Sequence, residues 1–362
     1  MVGITKMKAE KQKAEKEAFF CTTKELSRLG LEQIPTQFQS HKHLIYSSPA
    51  TLAFNSPGAE GFGVKRAGLA VPDSIMLIVA PGCCGRNTSL ISSMKEYNDR
   101  FYYLMMDETD IVTGRHLKKI PKAVEEICSV CPKKPSVVMI CITCVDALLG
   151  TDMERVCKKA EEQVEIPVRP CYMYALTREG RKPPMVHVRQ SLYSLLEPGK
   201  KKGNVVNLLG FFSPLVDDCE IYDLLHSAGV KTIHEISRCK DYMEYQTMSE
   251  ANFNLVLHHE ARFAAEDFHN RLQIPFIELR RLYQIDKIEN QYHALGNALG
   301  VAFYDEKYKK QAEDALEKFR QRCPDASFAI GECLNADPFE LSLALIRYGF
   351  SVPEIYGTIT VE

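Results

Sequence analysis

The sequence lacks three features that would assign the protein to a common class at once. No apolar run approaches the roughly 18 residues that cross a bilayer, and the N-terminus has no apolar signal-peptide core. Charge is nearly balanced, since 45 Lys and Arg residues stand against 47 Asp and Glu residues and give a formal net charge of −2. We therefore expect no membrane segment, no nucleic-acid partner and a cytoplasmic location.

Cysteine, in contrast, is abundant. The chain has 13 cysteines, and the odd number argues against a complete disulfide framework. In a reducing compartment, some of these thiols are expected to be ligands. Six others are predicted to be small buried apolar residues: Cys128, Cys157, Cys219, Cys239, Cys323 and Cys333.

Short apolar runs alternate with helical patterns along most of the chain. The runs IMLIVA, FYYLMM and SVVMICI are separated by a loop or an amphipathic stretch, which is the βαβ rhythm of a parallel sheet. This pattern predicts an α/β protein with two complete doubly wound, Rossmann-like parallel-sheet domains and the start of a third. The predicted parts are an N-terminal helix (4–18) with an extended segment (together 1–72), a first domain (73–198), a second (204–285), and linking helices with a partial third unit (286–362).

Three polar segments each follow an apolar run in the first predicted domain. They are LIVAPGCCG, MMDETDIVTG and CITCVDALLGTD. Loops at the carboxyl ends of neighbouring parallel strands converge in space, so Cys84 and Cys144 could meet although they are distant in sequence. Converging thiolates indicate a metal or iron–sulfur site.

Other interpretations of the same segments remain open. Cys128 with Cys131 and Cys141 with Cys144 form two C-x-x-C pairs, the spacing of a zinc ribbon. An intervening buried strand, and the place of Cys128 on an apolar helix face, weaken the zinc interpretation. PGCCG resembles a phosphate loop but lacks the second Gly and the Lys-Ser/Thr pair. Strand alternation does not decide between Cys83 and Cys84 as a ligand.

Acidic and histidine side chains stand at two further strand ends. Asp107, Glu108 and Asp110 are candidates for substrate contact or catalysis, and the alternative is that they cap the following helix. His258 and His259 end the predicted strand NLVLHH and are expected to face opposite sides. At most one of the two histidines would then look into a given cleft.

The strand followed by PGCC, the segment DETDIVTG and the segment CVDALLGTD together resemble the first domain of nitrogenase component 1 proteins. In that family, cysteines equivalent to Cys84 and Cys144 ligate an iron–sulfur cluster between two subunits. A third family cysteine precedes the PGC loop, and the corresponding SPGAEGFG has none. The resemblance therefore implies a [4Fe–4S] cluster shared between two chains of a homodimer, or of a heterodimer with a paralogous component 1 chain. Cys83 and Cys21 are candidate additional ligands.

The resemblance implies a redox protein that accepts electrons from an ATP-dependent iron protein. The cluster would pass them to a small-molecule substrate, with Asp107, Glu108 and Asp110 as outer or proton-donating groups. Where the nitrogenase alpha subunit holds its cofactor by cysteine, this chain has Leu257, His258 and His259, so dinitrogen reduction is not expected and His258 is a candidate for lining a cleft. Two alternatives are a metallocluster assembly scaffold and a non-catalytic paralogue with structural or zinc-binding cysteines. The short third unit supports the last of these.

Overall fold

The computed structural model describes most of the chain after residue 62. The described residues are 63–82, 97, 99–143, 145, 149–172, 182, 184–331, 337–356 and 359–360, with short stretches at 22–26, 28–29, 33 and 39–40. Two compact units divide the chain, one formed by residues 46–314 and the other by residues 1–45 with 315–362. The predicted helix at 4–18 lies outside the described residues.

Helices and strands alternate along the described residues. The strands are β1 (Gln39–Ser40), β2 (Ile75–Ala80), β3 (Phe101–Met105), β4 (Val138–Ile142), β5 (Val168–Tyr172), β6 (Lys202–Leu209), β7 (Thr232–His234), β8 (Ala251–Val256), β9 (Phe276–Glu278), β10 (Ser327–Ile330), β11 (Ser351–Ile355) and β12 (Ile359–Thr360). The α-helices are α1 (Thr23–Leu26), α2 (Gly63–Ala67), α3 (Glu108–Thr113), α4 (His116–Val130), α5 (Met153–Val164), α6 (Pro184–Tyr193), α7 (Glu220–Ser227), α8 (Tyr242–Gln246), α9 (Arg262–Leu272), α10 (Ile285–Leu299), α11 (Glu306–Arg322) and α12 (Pro338–Arg347).

The larger unit contains two parallel sheets of four strands. The first has the order β3-β2-β4-β5 and the second has the order β7-β6-β8-β9. In each sheet the chain first adds a strand on one side and then crosses to the other, so the order reverses between β2 and β4 and again between β6 and β8. These two reversals are the positions where doubly wound sheets bind ligands.

Burial on both faces explains the continuous apolar runs. All residues of β2 and β4 are buried, as expected for parallel strands that are covered by helices on both sides. Met76 and Ile78 face one core, whereas Leu77 and Val79 face another. The first core also takes in residues of α6, α9 and β8, so the two sheets share it.

The smaller unit contains one strand–helix–strand repeat. Strands β10 and β11 pair in parallel on either side of α12 in the sequence, and the rings of Phe319, Phe328 and Phe350 pack together with centroids 5.5 to 6.2 Å apart. The predicted α/β class, with two wound sheets and the beginning of a third, is confirmed.

Candidate functional site

The first reversal point lies between β2 and β4. These strands are hydrogen-bonded neighbours, with Val79 opposite Ile142, so their carboxyl ends emerge side by side. Cys83 and Cys84 follow β2 and Cys144 follows β4, but these three cysteines lie outside the described residues, as does Cys21. Thr143, which directly precedes Cys144, is 1% exposed, and its hydroxyl finds no hydrogen-bond partner in the described part of the chain.

The acidic segment follows β3, the neighbour of β2. Asp107 caps α3 by accepting a hydrogen bond from the Asp110 amide at 2.7 Å, and the two residues form a reciprocal capping box. Asp110 is buried and bonds Arg115 Nε at 2.8 Å and Lys119 Nζ at 2.6 Å. Glu108 is exposed. The capping interpretation is thus confirmed for Asp107 and Asp110.

The cations beside Asp110 keep its carboxyl ionised. Hydrogen bonds from Lys119 and then Arg115 hold the pKa of Asp110 well below its ordinary value. At neutral pH this side chain has no proton to give, so it offers negative charge and hydrogen-bond acceptors.

The second reversal point lies between β6 and β8. Gly210 follows β6 with φ at +142°, and a Cβ there would lie 2.8 Å from the His258 backbone nitrogen, so the close approach requires glycine. Arg189 of α6 donates to the Gly210 carbonyl at 3.0 and 2.6 Å and to Glu260 at 2.7 Å. Its guanidinium also lies over the Phe212 ring at 4.5 Å. This buried ion pair fixes the start of α6 against the ends of both strands.

His258 lies two residues beyond the end of β8, not inside a strand. It precedes a 3-10 helix, His259–Ala261, and its Nδ1 accepts a hydrogen bond from the Glu260 amide at 3.3 Å. The expectation that His258 and His259 face opposite sides is wrong, because the strand ends at Val256 and its alternation ends with it. The two imidazole rings stack with centroids 4.5 Å apart.

The surroundings of His258 keep its ring neutral. Burial, followed by the charges of Arg189, His259 and Arg281, lowers the pKa of His258 to about 3. Since Nδ1 accepts a hydrogen bond, the proton of the neutral ring is assigned to Nε2. The Phe211 ring lies edge-on to His258 at 5.7 Å, and Arg281 lies over Phe211 at 5.2 Å. The second reversal point therefore presents an aromatic surface with a cation beside it.

This depressed pKa predicts a pH dependence of stability. In the unfolded chain this histidine has an ordinary pKa near 6.5 and takes up a proton as the pH falls, whereas folded His258 does not. Protonation therefore stabilises the unfolded state, and the free energy of unfolding decreases below about pH 6.5. Between pH 7 and pH 5 the wild type should lose about 2 kcal/mol more unfolding free energy than His258→Gln. Urea unfolding at the two pH values measures this difference. The exposed His269→Gln is the control, and an unchanged slope in His258→Gln would contradict the assignment.

A pocket of about 300 Å³ opens where β5 and α6 meet. Its lining is Thr151, Asp152, Met153, Tyr172, Lys182, Pro184 and His187. Tyr172 and His187 form an edge-to-face pair at 4.3 Å, and burial lowers the pKa of His187 to about 4. Neither His187 nor Tyr172 was predicted from the sequence. The position of Tyr172 at the carboxyl end of β5 was the available signal.

The described cysteines do not form the predicted alternative zinc site. Cys141 is fully buried in the core that also holds Cys171, its neighbour across β4 and β5. Cys128 and Cys131 pack against the core on the opposite face of the sheet. The sheet thus separates Cys141 from Cys128 and Cys131, so these three described cysteines do not gather into a zinc ribbon. No group of three or more His, Cys, Asp or Glu that could hold a metal occurs among the described residues.

The prediction of buried apolar cysteines holds in part. Cys157 is buried, and Cys128, Cys219 and Cys239 are half-buried and pack against apolar cores. Cys323 is exposed near the end of α11, so the prediction is wrong for it. Cys333 lies outside the described residues.

Two doubly wound parallel sheets, with polar side chains at their reversal points, define an α/β protein of the doubly wound class. The chain belongs to the nitrogenase component 1 type oxidoreductases, because the sequence model of that family matches residues 60–347. The family resemblance seen in the sequence is thereby confirmed. No helix in the described part of the chain is both long and apolar enough to cross a membrane.

The curated relatives include cofactor biosynthesis proteins. The chain is 25% identical over 284 residues to the nitrogenase iron-molybdenum cofactor biosynthesis protein NifE of Nostoc sp., covering 75% of this chain and 58% of that protein. It is 24% identical over 256 residues to NifE of Clostridium pasteurianum, covering 68% and 54%. The chain thus spans little more than half the length of these relatives.

A solved structure shares the fold. "Nitrogenase Cp1 at pH 6.5" superposes with a TM-score of 0.64 at 19% identity and covers 83% of this chain and 70% of that one.

Proposed function

We propose that this protein is a scaffold that holds a metallocluster during its assembly and passes it to another protein. The observation that carries the proposal is the similarity to relatives named as cofactor biosynthesis proteins. From the sequence alone, electron transfer was the first hypothesis for the function and the assembly scaffold was an alternative. The relatives favour the scaffold.

The arrangement of the first sheet supports Cys84 and Cys144 as the cluster ligands. Strands β2 and β4 are direct neighbours, and adjacent strands lie about 4.8 Å apart. Cys144 follows Thr143 at one strand end, and Cys84 is four positions past Ala80 at the other. The two described strand ends that lead into these cysteines therefore lie side by side at one sheet edge, and Cys83 is the candidate third ligand. The buried Thr143 hydroxyl can donate a hydrogen bond to a cluster sulfur.

Two thiolates from each of two chains would complete a four-cysteine site. A [4Fe–4S] cluster takes four cysteines, and a two-fold axis supplies them as two equal pairs. The partner would be a second copy or a paralogous component 1 chain. A cluster held at an interface can leave when the two chains separate, which suits transfer better than permanent retention.

Other residues near the ends of the strands would affect the bound cluster without being its ligands. Asp110 with its two cations stabilises the helix that follows β3 and fixes the charge near the sheet edge. His258 and its aromatic neighbours provide a second surface at the other sheet, where a neutral imidazole offers an Nε2 hydrogen bond. Asp107 and Glu108 are exposed at the first edge and available for partner contact.

Electron transfer is the second candidate, because the family is described as oxidoreductases. In that case an ATP-dependent iron protein would supply the electrons. The cluster would then stay bound through many turnovers and pass them to a small molecule.

Cluster transfer separates the two functions experimentally. The full-length protein, purified without oxygen, is loaded with isotope-labelled iron and sulfide, mixed with an apo-ferredoxin that takes a [4Fe–4S] cluster, and separated. We expect the label to move to the ferredoxin. Label that stays on the protein through repeated reduction and oxidation would favour electron transfer, and a protein that remains colourless after loading would refute both functions.

A further inference from the structure

The C-x-x-C pair at the end of α4 has no part in the site described above. We propose that Cys128 and Cys131 form a reversible intramolecular disulfide by exchange with a low-molecular-weight disulfide. The pair lies beside Tyr102 near the start of β3, away from the carboxyl ends of the strands, and the proposal does not depend on the proposed function.

The helix end places the two thiols near each other. Residues three apart on a helix have Cβ atoms about 5–6 Å apart, slightly more than the roughly 3.5–4.5 Å of a disulfide. Helix α4 ends at Val130, and Cys131 already has an extended backbone while its amide donates to the Ile127 carbonyl at 3.0 Å. The tightening that a disulfide requires is therefore confined to the last turn, which is the part of a helix that changes most readily.

The two thiols of the pair have different surroundings. The Tyr102 hydroxyl lies 3.1 Å from Cys131 Sγ, and this contact, followed by burial, raises the pKa of Tyr102 to about 12. The phenol therefore stays protonated at neutral pH and can donate a hydrogen bond to a thiolate at Cys131. Burial, followed by the nearby Cys131, raises the pKa of Cys128, while Lys134 opposes the rise. The hydroxyl contact at Cys131, which can stabilise a thiolate there, assigns Cys131 as the first nucleophile and Cys128 as the second.

Access distinguishes this pair from the other described cysteines. Cys128 and Cys131 are both partly exposed, whereas Cys141 and Cys171 face each other at 0% exposure inside a core. A small disulfide cannot reach that buried pair. Cys323 is exposed, and no other described cysteine lies near it in the sequence.

The exchange balances in two steps. The Cys131 thiolate attacks the external disulfide, forms a mixed disulfide and releases one small thiolate. The Cys128 thiolate then attacks Cys131 Sγ, closes the intramolecular disulfide and releases the second small thiolate. The cysteine pair is oxidised by two electrons, the external disulfide is reduced to two thiols, and the two protons from the cysteines go to the released thiolates. A disulfide in a strained, accessible helix turn is the reducible kind.

The test is a redox titration followed at the level of peptides. The reduced full-length protein is equilibrated anaerobically with mixtures of oxidised and reduced glutathione, quenched with acid, alkylated and digested, and residues 123–133 are weighed. We expect that peptide to change from doubly alkylated to internally disulfide-bonded as the glutathione becomes oxidised, and to revert with excess dithiol. Cys128→Ser should stop the reaction at a glutathione adduct on Cys131.

Two controls keep the proposal open to refutation. Tyr102→Phe should slow formation of the disulfide by roughly threefold to tenfold, as expected for one lost hydrogen bond to sulfur. Cys323→Ser should leave the titration unchanged. Two outcomes would overturn the proposal: a fully alkylated 123–133 peptide at glutathione ratios that already modify Cys323, or stable glutathione adducts on both Cys128 and Cys131. The titration of the wild type alone tests both, so the result does not depend on whether a variant folds.

Discussion

Glu260→Ala is expected to lower the free energy of unfolding by roughly 3–5 kcal/mol, the usual cost of leaving one member of a buried ion pair uncompensated. The Arg189 and Glu260 side chains are 5% and 9% exposed and 2.7 Å apart. Burial raises the pKa of Glu260, and the Arg189 guanidinium opposes that rise. Without the carboxylate, a guanidinium cation would stay buried with only carbonyl oxygens and one aromatic ring as partners.

The loss should extend beyond one contact, because Arg189 joins three segments. It donates to the Met185 carbonyl of its own helix, to the Gly210 carbonyl after β6, and to Glu260 after β8. Loosening this junction changes the second reversal point together with the start of α6. Urea unfolding monitored by circular dichroism measures the change, with the slope checked for two-state behaviour.

A matched pair on the surface provides the control. Glu266 also pairs with an arginine, Arg262, at 3.4 Å, but the two side chains are 42% and 60% exposed. Glu266→Ala should cost no more than about 1 kcal/mol. The double variant Arg189→Met with Glu260→Met should be less destabilised than Glu260→Ala alone, because no buried charge remains. Equal losses for Glu260→Ala and Glu266→Ala would contradict the argument.

The wound sheets could be predicted because their strands are buried on both faces. Such strands read as continuous apolar runs, and IMLIVA and SVVMICI have that form. Because these runs alternate with helical stretches, the sequence predicted parallel strands. The polar segments that follow the runs predicted the first candidate site at the carboxyl ends of the strands. The capping role of Asp107 and Asp110 was also readable, since an acidic residue followed three positions later by another is a local signal.

The arrangement of the second site could not be predicted from local pattern. The run NLVLHH stays apolar through Leu257, but the strand ends at Val256. Beyond that point the backbone of Gly210 lies close to His258, and the His258 ring caps the following 3-10 helix. The partnership of Arg189 and Glu260 joins residues 71 positions apart. No periodic signal marks such a contact, and His187 was missed for the same reason.

Cys144→Ser is expected to lower the bound iron after reconstitution by at least roughly tenfold, since even loss of a residue outside the metal ligands commonly costs 10–100-fold in affinity. Serine oxygen replaces a thiolate, the ligand that iron–sulfur clusters require. Iron and acid-labile sulfide per chain are measured after anaerobic reconstitution and gel filtration. Cys84→Ser should behave in the same way, because the two residues follow neighbouring strands of one sheet.

Cys141→Ala is the control that separates ligand loss from damage to the strand. Cys141 lies three positions before Cys144 and is fully buried in a core. Its replacement should lower stability on the order of 1 kcal/mol and leave the iron content unchanged. Iron retained by Cys144→Ser, or lost equally from Cys141→Ala, would contradict the assignment.

The proposed sharing of the cluster between two chains also predicts a change in association. If two chains supply two thiolates each, removal of Cys144 takes away half of the ligands from a symmetric site, because the substitution occurs in both copies. The cluster then no longer links the chains, and the sedimentation coefficient of the reconstituted variant should fall toward that of the metal-free wild type. A variant that loses its iron but sediments like the loaded wild type would show that the chains associate without the cluster, and would contradict this prediction.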